Sequence, residues 1–172
     1  MSRLVRALVV VGIIVCILLV SGIYLRSQES PQPKIEVPVA SIGWNTESFS
    51  RVSVSVADDK ILLDAGCYRL PIFADAKQLD SISRGIKGEI GKRPVTHEIM
   101  ADSFEFFEIN VVMVKITKIE NSTYYARLIL RRGNNILDID SRPSDAIALA
   151  VRVNAPIYVN DSLLHTYGEK LC

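Results

Sequence analysis

The stretch DIDSRPSDAIALAV, residues 138–151, places three carboxylates and one arginine directly before an apolar run. The alternation in NILDID predicts a strand that carries Asp138 and Asp140 on the same face. Arg142 ends this strand, because the residue before a proline is pushed out of the helical region. Pro143 suits the first turn of a helix, and AIALAV is apolar around its whole circumference. The sequence therefore predicts a strand that runs straight into the N-terminus of a buried helix.

Two interpretations of this charged corner stay open. In the structural one, Asp145 caps the helix or pairs with Arg142 three residues earlier, and the charges only stabilise the fold. In the catalytic one, Asp140 and Asp145 bind a divalent cation, Mg²⁺ or Mn²⁺, that activates water. Backbone N–H groups and Arg142 would then bind a phosphate at the helix N-terminus. His97, one of two histidines in the chain, is the candidate general base.

The remaining sequence predicts strands and helices that do not alternate strictly. Valines alternate with serines from residue 52 to 56, which predicts the first of two or three antiparallel strands ending near Ile72. Apolar residues at helical spacing predict a helix over residues 74–88, ending near Gly85 or Gly88, and a second helix with Thr96 as its N-cap. Residues 110–140 predict three strands, and a short strand and a terminal helix follow from residue 154. This pattern indicates an α+β fold.

The N-terminal part predicts a membrane segment. Residues 7–25, ALVVVGIIVCILLVSGIYL, contain no charge and would span roughly 28 Å as a helix, about the thickness of the hydrocarbon core. Arg3 and Arg6 precede this run, so we expect the N-terminus in the cytoplasm and the domain outside it. The alternative is a signal peptide cleaved after the small residues at 20–22. The expected organisation is an anchor (1–26), a linker (27–45) and one folded domain (46–172).

Charge and cysteine content narrow the function classes. With the three arginines of the anchor set aside, residues 27–172 carry 17 basic and 19 acidic side chains, a net charge of −2. A strongly basic nucleic-acid footprint is therefore absent from the sequence. Cys67 and Cys172 are the two cysteines outside the apolar run, and they are compatible either with a disulfide in an exported domain or with two thiols.

Positive charge is nevertheless concentrated locally. Arg127 and Arg131 share one face of the strand YYARLILRR with Tyr125, and Arg132 follows. Lys92-Arg93 lies in a predicted loop. Arginines interleaved with aromatic side chains suit binding of a nucleic-acid strand, whereas the alternative is an ordinary solvated sheet face.

Four segments, in matching order and spacing, resemble the bifunctional nuclease domain family. They are PVTHEIM (94–100), STYYARLILRRG (122–133), DIDSRPSDAIALAVR (138–152) and APIYV (155–159). The resemblance covers roughly residues 50–165 and implies a compact α+β domain that degrades RNA and DNA. It implies functional roles at the positions that match the family's recurrent polar residues, which are Thr96, His97, Asp140, Arg142, Ser144 and Asp145.

The chain departs from this family pattern in one place. The family typically has a glycine and then a glutamate after LPI, whereas this sequence has Asp75 and Gln78 there. The resulting hypothesis is a membrane-tethered nuclease-like domain that hydrolyses phosphodiester bonds, with nucleic acid as its substrate. The alternative is a tethered, non-catalytic binding or scaffold module whose polar corner is structural.

Overall fold

The computed structural model describes residues 45–172. The predicted membrane segment, residues 7–25, and nearly all of the predicted linker lie outside the described residues. Within residues 45–172, no helix combines the length and the apolar character needed to cross a bilayer.

The described part of the chain forms nine strands and four helices, which confirms the α+β prediction. The strands are β1 (Phe49–Arg51), β2 (Ser53–Ala57), β3 (Lys60–Ala65), β4 (Tyr68–Phe73), β5 (Asn110–Glu120), β6 (Thr123–Arg132), β7 (Asn135–Ser141), β8 (Ile157–Asn160) and β9 (Glu169–Lys170). The helices are α1 (Ala76–Lys87), α2 (Thr96–Phe106), α3 (Pro143–Arg152) and α4 (Asp161–Tyr167).

The strands form two sheets. The larger sheet has the order β1-β8-β5-β6-β7, and the smaller has the order β2-β3-β4-β9. Only β5 and β8 are parallel among the pairs of described strands. The predicted strands of residues 51–73 and 110–140 are confirmed, whereas β1 and β9 were not predicted. Both are short strands whose partners, β8 and β4, are distant in sequence.

Helix α3 is the centre of the hydrophobic core. It packs against α1 and α2 on one side and against β5 and β6 on the other. Each residue from Ala146 to Ala150 is at most 1% exposed. The apolar run AIALAV thus forms the buried helix that the sequence predicts. Because α3 begins right after β7, its N-terminus is held at the edge of this core.

Local signals fix the ends of α1. The Asp75 side chain accepts hydrogen bonds from the backbone N–H groups of Lys77 and Gln78, and the Gln78 side chain accepts from the Asp75 N–H. Gly88 ends the helix with a positive φ of 67°. Asp75 and Gln78, which depart from the family pattern, therefore form a capping box.

The prediction that Thr96 caps α2 is wrong. Val95 is the N-cap residue, and Thr96 is the first residue of the helix. The Val95 N–H donates to the Glu98 carboxylate at 2.8 Å. Glu98 thereby makes the N3 half of a capping box and lies where the helix dipole favours an anion, whereas Val95 makes no side-chain cap hydrogen bond.

Cys67 and Cys172 form a disulfide, with their Cα atoms 5.3 Å apart. The bond links the turn before β4 to the C-terminus, beside the two-residue pairing of β9 with β4. It resolves the two alternatives that the sequence left open.

We expect the disulfide to contribute substantially to stability, because it closes a loop of 105 residues and thereby restricts the unfolded chain. Replacing both Cys67 and Cys172 with Ser should lower the free energy of unfolding by about 2–5 kcal/mol. Urea denaturation with and without a reducing agent measures the effect. The serine variant is the control, since the reductant should leave it unchanged. Equal midpoints for the oxidised parent and the variant would contradict the expectation.

Candidate functional site

An open cleft of about 650 Å³ lies where α1, the first turn of α2 and the N-terminus of α3 meet. Its walls combine three cationic side chains with a serine, a histidine and carboxylates. The residues that matter for its chemistry are Lys77, Ser81, Arg84, His97, Arg142 and Asp145. The cleft therefore contains four of the residues predicted from the sequence, Thr96, His97, Arg142 and Asp145.

Arg142 and Asp145 form a two-pronged ion pair at the mouth of the cleft. Arg142 Nε donates to Asp145 Oδ2 at 2.7 Å, and Arg142 Nη2 donates to Oδ1 at 3.0 Å. The Arg142 side chain is 71% exposed. A pair this exposed contributes only about 0–1 kcal/mol to stability. Because the pair takes two of the five guanidinium N–H groups, three remain for an anion.

His97 lies between a carboxylate and a hydroxyl. Its Nε2 is 3.6 Å from Asp145 Oδ1, and its Nδ1 is 3.0 Å from Ser81 Oγ. The ring is 18% exposed and Ser81 is 7% exposed. Asp145, His97 and Ser81 thus form a continuous row from the cleft mouth to its floor.

The row ends on a buried arginine. Arg152 Nη2 donates to Ser81 Oγ at 3.2 Å and to the Ser81 carbonyl at 2.9 Å. The same nitrogen is 3.5 Å from Glu98 Oε1, and both of these charged side chains are under 10% exposed. Arg152 Nη1 donates to the Ala148 carbonyl at 2.6 Å. One guanidinium therefore connects α1, α2 and α3 directly beneath the cleft.

Burial and the neighbouring carboxylate shift the pKa of His97 in opposite directions. Burial lowers the pKa of His97 below its ordinary value, and the neighbouring Asp145 carboxylate only partly offsets this effect. The hydrogen bond from the Val95 N–H, followed by Arg152, lowers the pKa of the Glu98 carboxyl. At neutral pH the site thus holds a neutral imidazole above a charged, buried Glu98–Arg152 pair.

Asp140 lies away from this row. It is 68% exposed and its nearest cation is Arg127, with Nη1 4.0 Å from Oδ1. Arg127 Nε itself donates to Asp138 at 2.7 Å. Within residues 45–172, no group of three His, Cys, Asp or Glu side chains could hold a metal ion. The two predicted metal ligands, Asp140 and Asp145, therefore contact different arginines and do not form one ligand set.

The other predicted residues take different positions. Ser144, the second residue of α3, is buried, and Thr96 lines the cleft. The predicted binding residues Arg131, Arg132, Lys92 and Arg93 are exposed but do not line the cleft.

Sequence reasoning missed four residues of the site, Lys77, Ser81, Arg84 and Arg152. The stretch DSISRG around Ser81 carries no motif, so no local signal could have identified it. Arg152 looks like an ordinary basic residue in the last turn of a helix.

Comparison with known proteins identifies the family. A family model for the bifunctional nuclease domain matches residues 61–171, which include every residue of the cleft. The chain belongs to the bifunctional nuclease domain family. This membership confirms the resemblance that the sequence segments indicated.

Relatives from a bacterium and from plants are similar to this chain in sequence. An uncharacterised protein of Mycobacterium tuberculosis is 32% identical over 99 residues, which are 58% of each chain. Bifunctional nuclease 1 of Arabidopsis thaliana is 33% identical over 82 residues, 46% of this chain and 25% of the plant protein. A bifunctional nuclease of Oryza minuta has the same identity and coverage. The chain thus spans a little over half of the mycobacterial relative and a quarter of the plant ones.

The buried imidazole predicts a pH dependence of stability. Because the folded protein holds His97 neutral, the unfolded chain binds a proton below about pH 6.5 that the folded chain does not. This contribution to stability is present above that pH and is lost as the pH falls through the lowered pKa of His97. Between about pH 7 and pH 5, the free energy of unfolding of the His97→Asn variant should therefore fall less than that of the parent protein. Urea denaturation across this range measures it, and an equal loss in both proteins would contradict the assignment.

Proposed function

We propose that this chain is a nuclease that hydrolyses phosphodiester bonds of RNA, DNA or both at the cleft. The proposal rests on one observation. A neutral His97 lies beside the exposed guanidinium of Arg142, whose ion pair with Asp145 leaves three N–H groups for an anion. Membership of the bifunctional nuclease domain family supports it, as do the names of the plant relatives. Since those relatives are matched over a quarter of their length, activity and substrate are proposals for this chain.

Arg142 is the proposed phosphate clamp. Its position on Asp145 orients the guanidinium, because two N–H groups are held at 2.7 and 3.0 Å. The remaining N–H groups can bind two oxygens of one phosphate, which a lysine cannot do in the same geometry. Positive charge fixed in this way stabilises the additional negative charge that develops in the transition state.

His97 is the proposed general base. Burial keeps the imidazole neutral at pH 7, so it can take the proton of the attacking hydroxyl. Asp145 is 3.6 Å from the ring, close enough to favour the imidazolium that forms. Asp145 therefore acts on both partners, orienting Arg142 and stabilising protonated His97.

Binding of the nucleic-acid strand on either side of the reacting phosphate needs further cationic side chains, because the net charge of residues 27–172 is −2 and overall charge cannot attract it. Lys77 and Arg84 line the cleft, so we propose them as the nearest phosphate contacts. The exposed Lys92-Arg93 loop and the Arg131-Arg132 strand end are proposed as outer contacts. Arg127 was predicted with this group; its Nε and Nη2 donate to Asp138, and a contact of its remaining N–H groups with nucleic acid stays a prediction.

Assistance by Mg²⁺ or Mn²⁺ remains a separate proposal. Asp140 and Asp145 do not fit one resident metal ion, because Asp145 is bound by Arg142 and Asp140 faces Arg127. No step assigned above to His97 or Arg142 depends on a metal. A dependence of cleavage on added Mg²⁺ or Mn²⁺ would support metal assistance, and full activity in the presence of a chelator would contradict it.

Export of the domain is proposed from the uncharged run at residues 7–25 and the arginines before it. The disulfide supports this proposal, because disulfides persist mainly in oxidising compartments. A reporter that is active only outside the cytoplasm, fused after Cys172, should be active. Activity of a cytoplasm-only reporter alone at the same position would contradict the proposed topology.

The nuclease proposal predicts a specific effect of Arg142. In cleavage assays with the full-length chain, Arg142→Ala should lower kcat/KM by about 100-fold or more on single-stranded RNA or DNA. Its free energy of unfolding should change by no more than about 1 kcal/mol, since the ion pair is exposed. Combined Arg131→Ala and Arg132→Ala is the comparison, and it should weaken binding and reduce its salt dependence.

Two outcomes count against the proposal in different ways. Cleavage by Arg142→Ala at the parent rate would remove Arg142 from the mechanism. A parent protein that cleaves neither RNA nor DNA, with or without Mg²⁺ or Mn²⁺, would favour the non-catalytic binding module.

A further inference from the structure

We infer that Ser81 is the nucleophile of this site and forms a covalent bond with the phosphorus of the substrate. The inference rests on the proposed nuclease function and names the attacking group that this function leaves open. It is carried by the row Asp145–His97–Ser81, in which the carboxylate lies 3.6 Å from the imidazole and the imidazole lies 3.0 Å from the hydroxyl, and by Arg152, which donates to the same hydroxyl.

The direction of the hydrogen bonds follows from the partners of Ser81 Oγ. Arg152 has no acceptor, so it always donates, and Ser81 Oγ accepts from it at 3.2 Å. The second partner of Oγ in the described residues is His97 Nδ1, at 3.0 Å. The hydroxyl proton is satisfied when it points to this nitrogen, and the ring proton then lies on Nε2, facing the Asp145 carboxylate.

In this tautomer the lone pair of His97 Nδ1 is directed at the Ser81 hydroxyl. A base can take a proton only through its lone pair, so the hydroxyl that His97 Nδ1 is positioned to deprotonate is that of Ser81. The guanidinium of Arg152 lies on the other side of Oγ and favours the negative charge that develops on it. Asp145 lies 3.6 Å from Nε2, where it favours the imidazolium that forms; in serine hydrolases the carboxylate takes this part from the Nδ1 side of the ring.

Ser81 is also accessible from the side where a phosphate would bind. It is 7% exposed, yet it lines the cleft together with His97 and Arg142. A phosphate bound by Arg142 at the cleft mouth would therefore lie in the same cleft that the Ser81 hydroxyl faces. The low exposure keeps bulk water away from the hydroxyl and strengthens the electrostatic interactions around it.

The reaction balances without an additional reagent. Ser81 Oγ forms a bond to phosphorus while the bond from phosphorus to one bridging oxygen of the strand breaks. The hydroxyl proton passes to His97 Nδ1 and then to the leaving oxygen. Water, deprotonated by His97, then displaces Ser81 Oγ, which recovers a proton, and the products are a hydroxyl end and a phosphomonoester end.

A fluorophosphonate probe tests the nucleophile directly. The full-length chain is incubated with the probe, digested and analysed by mass spectrometry. We expect an adduct on the peptide that contains Ser81 in the parent, none in Ser81→Ala, and at least a tenfold slower reaction in His97→Gln. Ser103→Ala is the matched control, since Ser103 is a helical serine whose hydroxyl donates to the Ile99 carbonyl outside the cleft, and it should label like the parent.

Cleavage assays supply the second measurement. Ser81→Ala should lower kcat by about 100-fold or more. It should still fold, because Arg152 keeps its bonds to the Ser81 carbonyl, Glu98 and Ala148. Ser81→Cys should retain part of the activity and become sensitive to alkylating reagents, which a purely structural serine would not explain.

The outcomes separate this inference from the nuclease proposal. If Ser81→Ala cleaves at the parent rate while His97→Gln does not, Ser81 is not the nucleophile and the nuclease proposal stands. If the parent cleaves no nucleic acid but its Ser81 is labelled, the nuclease proposal fails and the activated serine stands. If Ser81 is not labelled and the parent cleaves nothing, both are overturned.

Discussion

The buried guanidinium of Arg152 is the interaction on which both the fold and the site depend. It bonds to carbonyls of α1 and α3 and pairs with Glu98 of α2, all beneath the surface. Breaking such a pair by removing one partner costs about 3–5 kcal/mol, because a buried charge loses its compensation. The guanidinium therefore helps to hold the three helices in one arrangement, and the cleft is the space above their junction.

The same guanidinium also determines the chemistry above it. By donating to Ser81 Oγ it leaves the hydroxyl proton for His97, and this sets which ring nitrogen carries the lone pair. Asp145 completes the row from the other end while holding Arg142 at the cleft mouth. A structural ion pair and a reactive site are thus parts of one hydrogen-bonded network. The exposed Arg142–Asp145 pair adds little stability, so its geometry serves the cleft more than the fold.

Sequence reasoning predicted the parts of this architecture that depend on local signals. The buried helix α3 followed from AIALAV, its start from Pro143, and the proximity of Arg142 to Asp145 from their spacing of three. Ser81 and Arg152 could not be found this way, because their contact joins residues 71 positions apart and neither lies in a recognisable motif.

Two predictions from the sequence differ from the structure. Asp140 and Asp145 were predicted to bind one metal ion because both lie near the corner, but the pairing of β7 with β6 turns Asp140 towards Arg127. The Thr96 cap was wrong because α2 begins one residue earlier than predicted, so that Thr96 is its first residue and Val95 its N-cap.

The protonation of the His97 ring is the most direct test of this account. Nitrogen-15 NMR of the folded parent protein at neutral pH distinguishes a protonated ring nitrogen from one that carries a lone pair. We expect a neutral ring with the proton on Nε2 and the lone pair on Nδ1, directed at Ser81. In Arg152→Met this preference should weaken, because Ser81 Oγ loses its obligatory donor. A parent ring protonated on Nδ1 would contradict the account, since His97 would then donate to Ser81 and could not activate it.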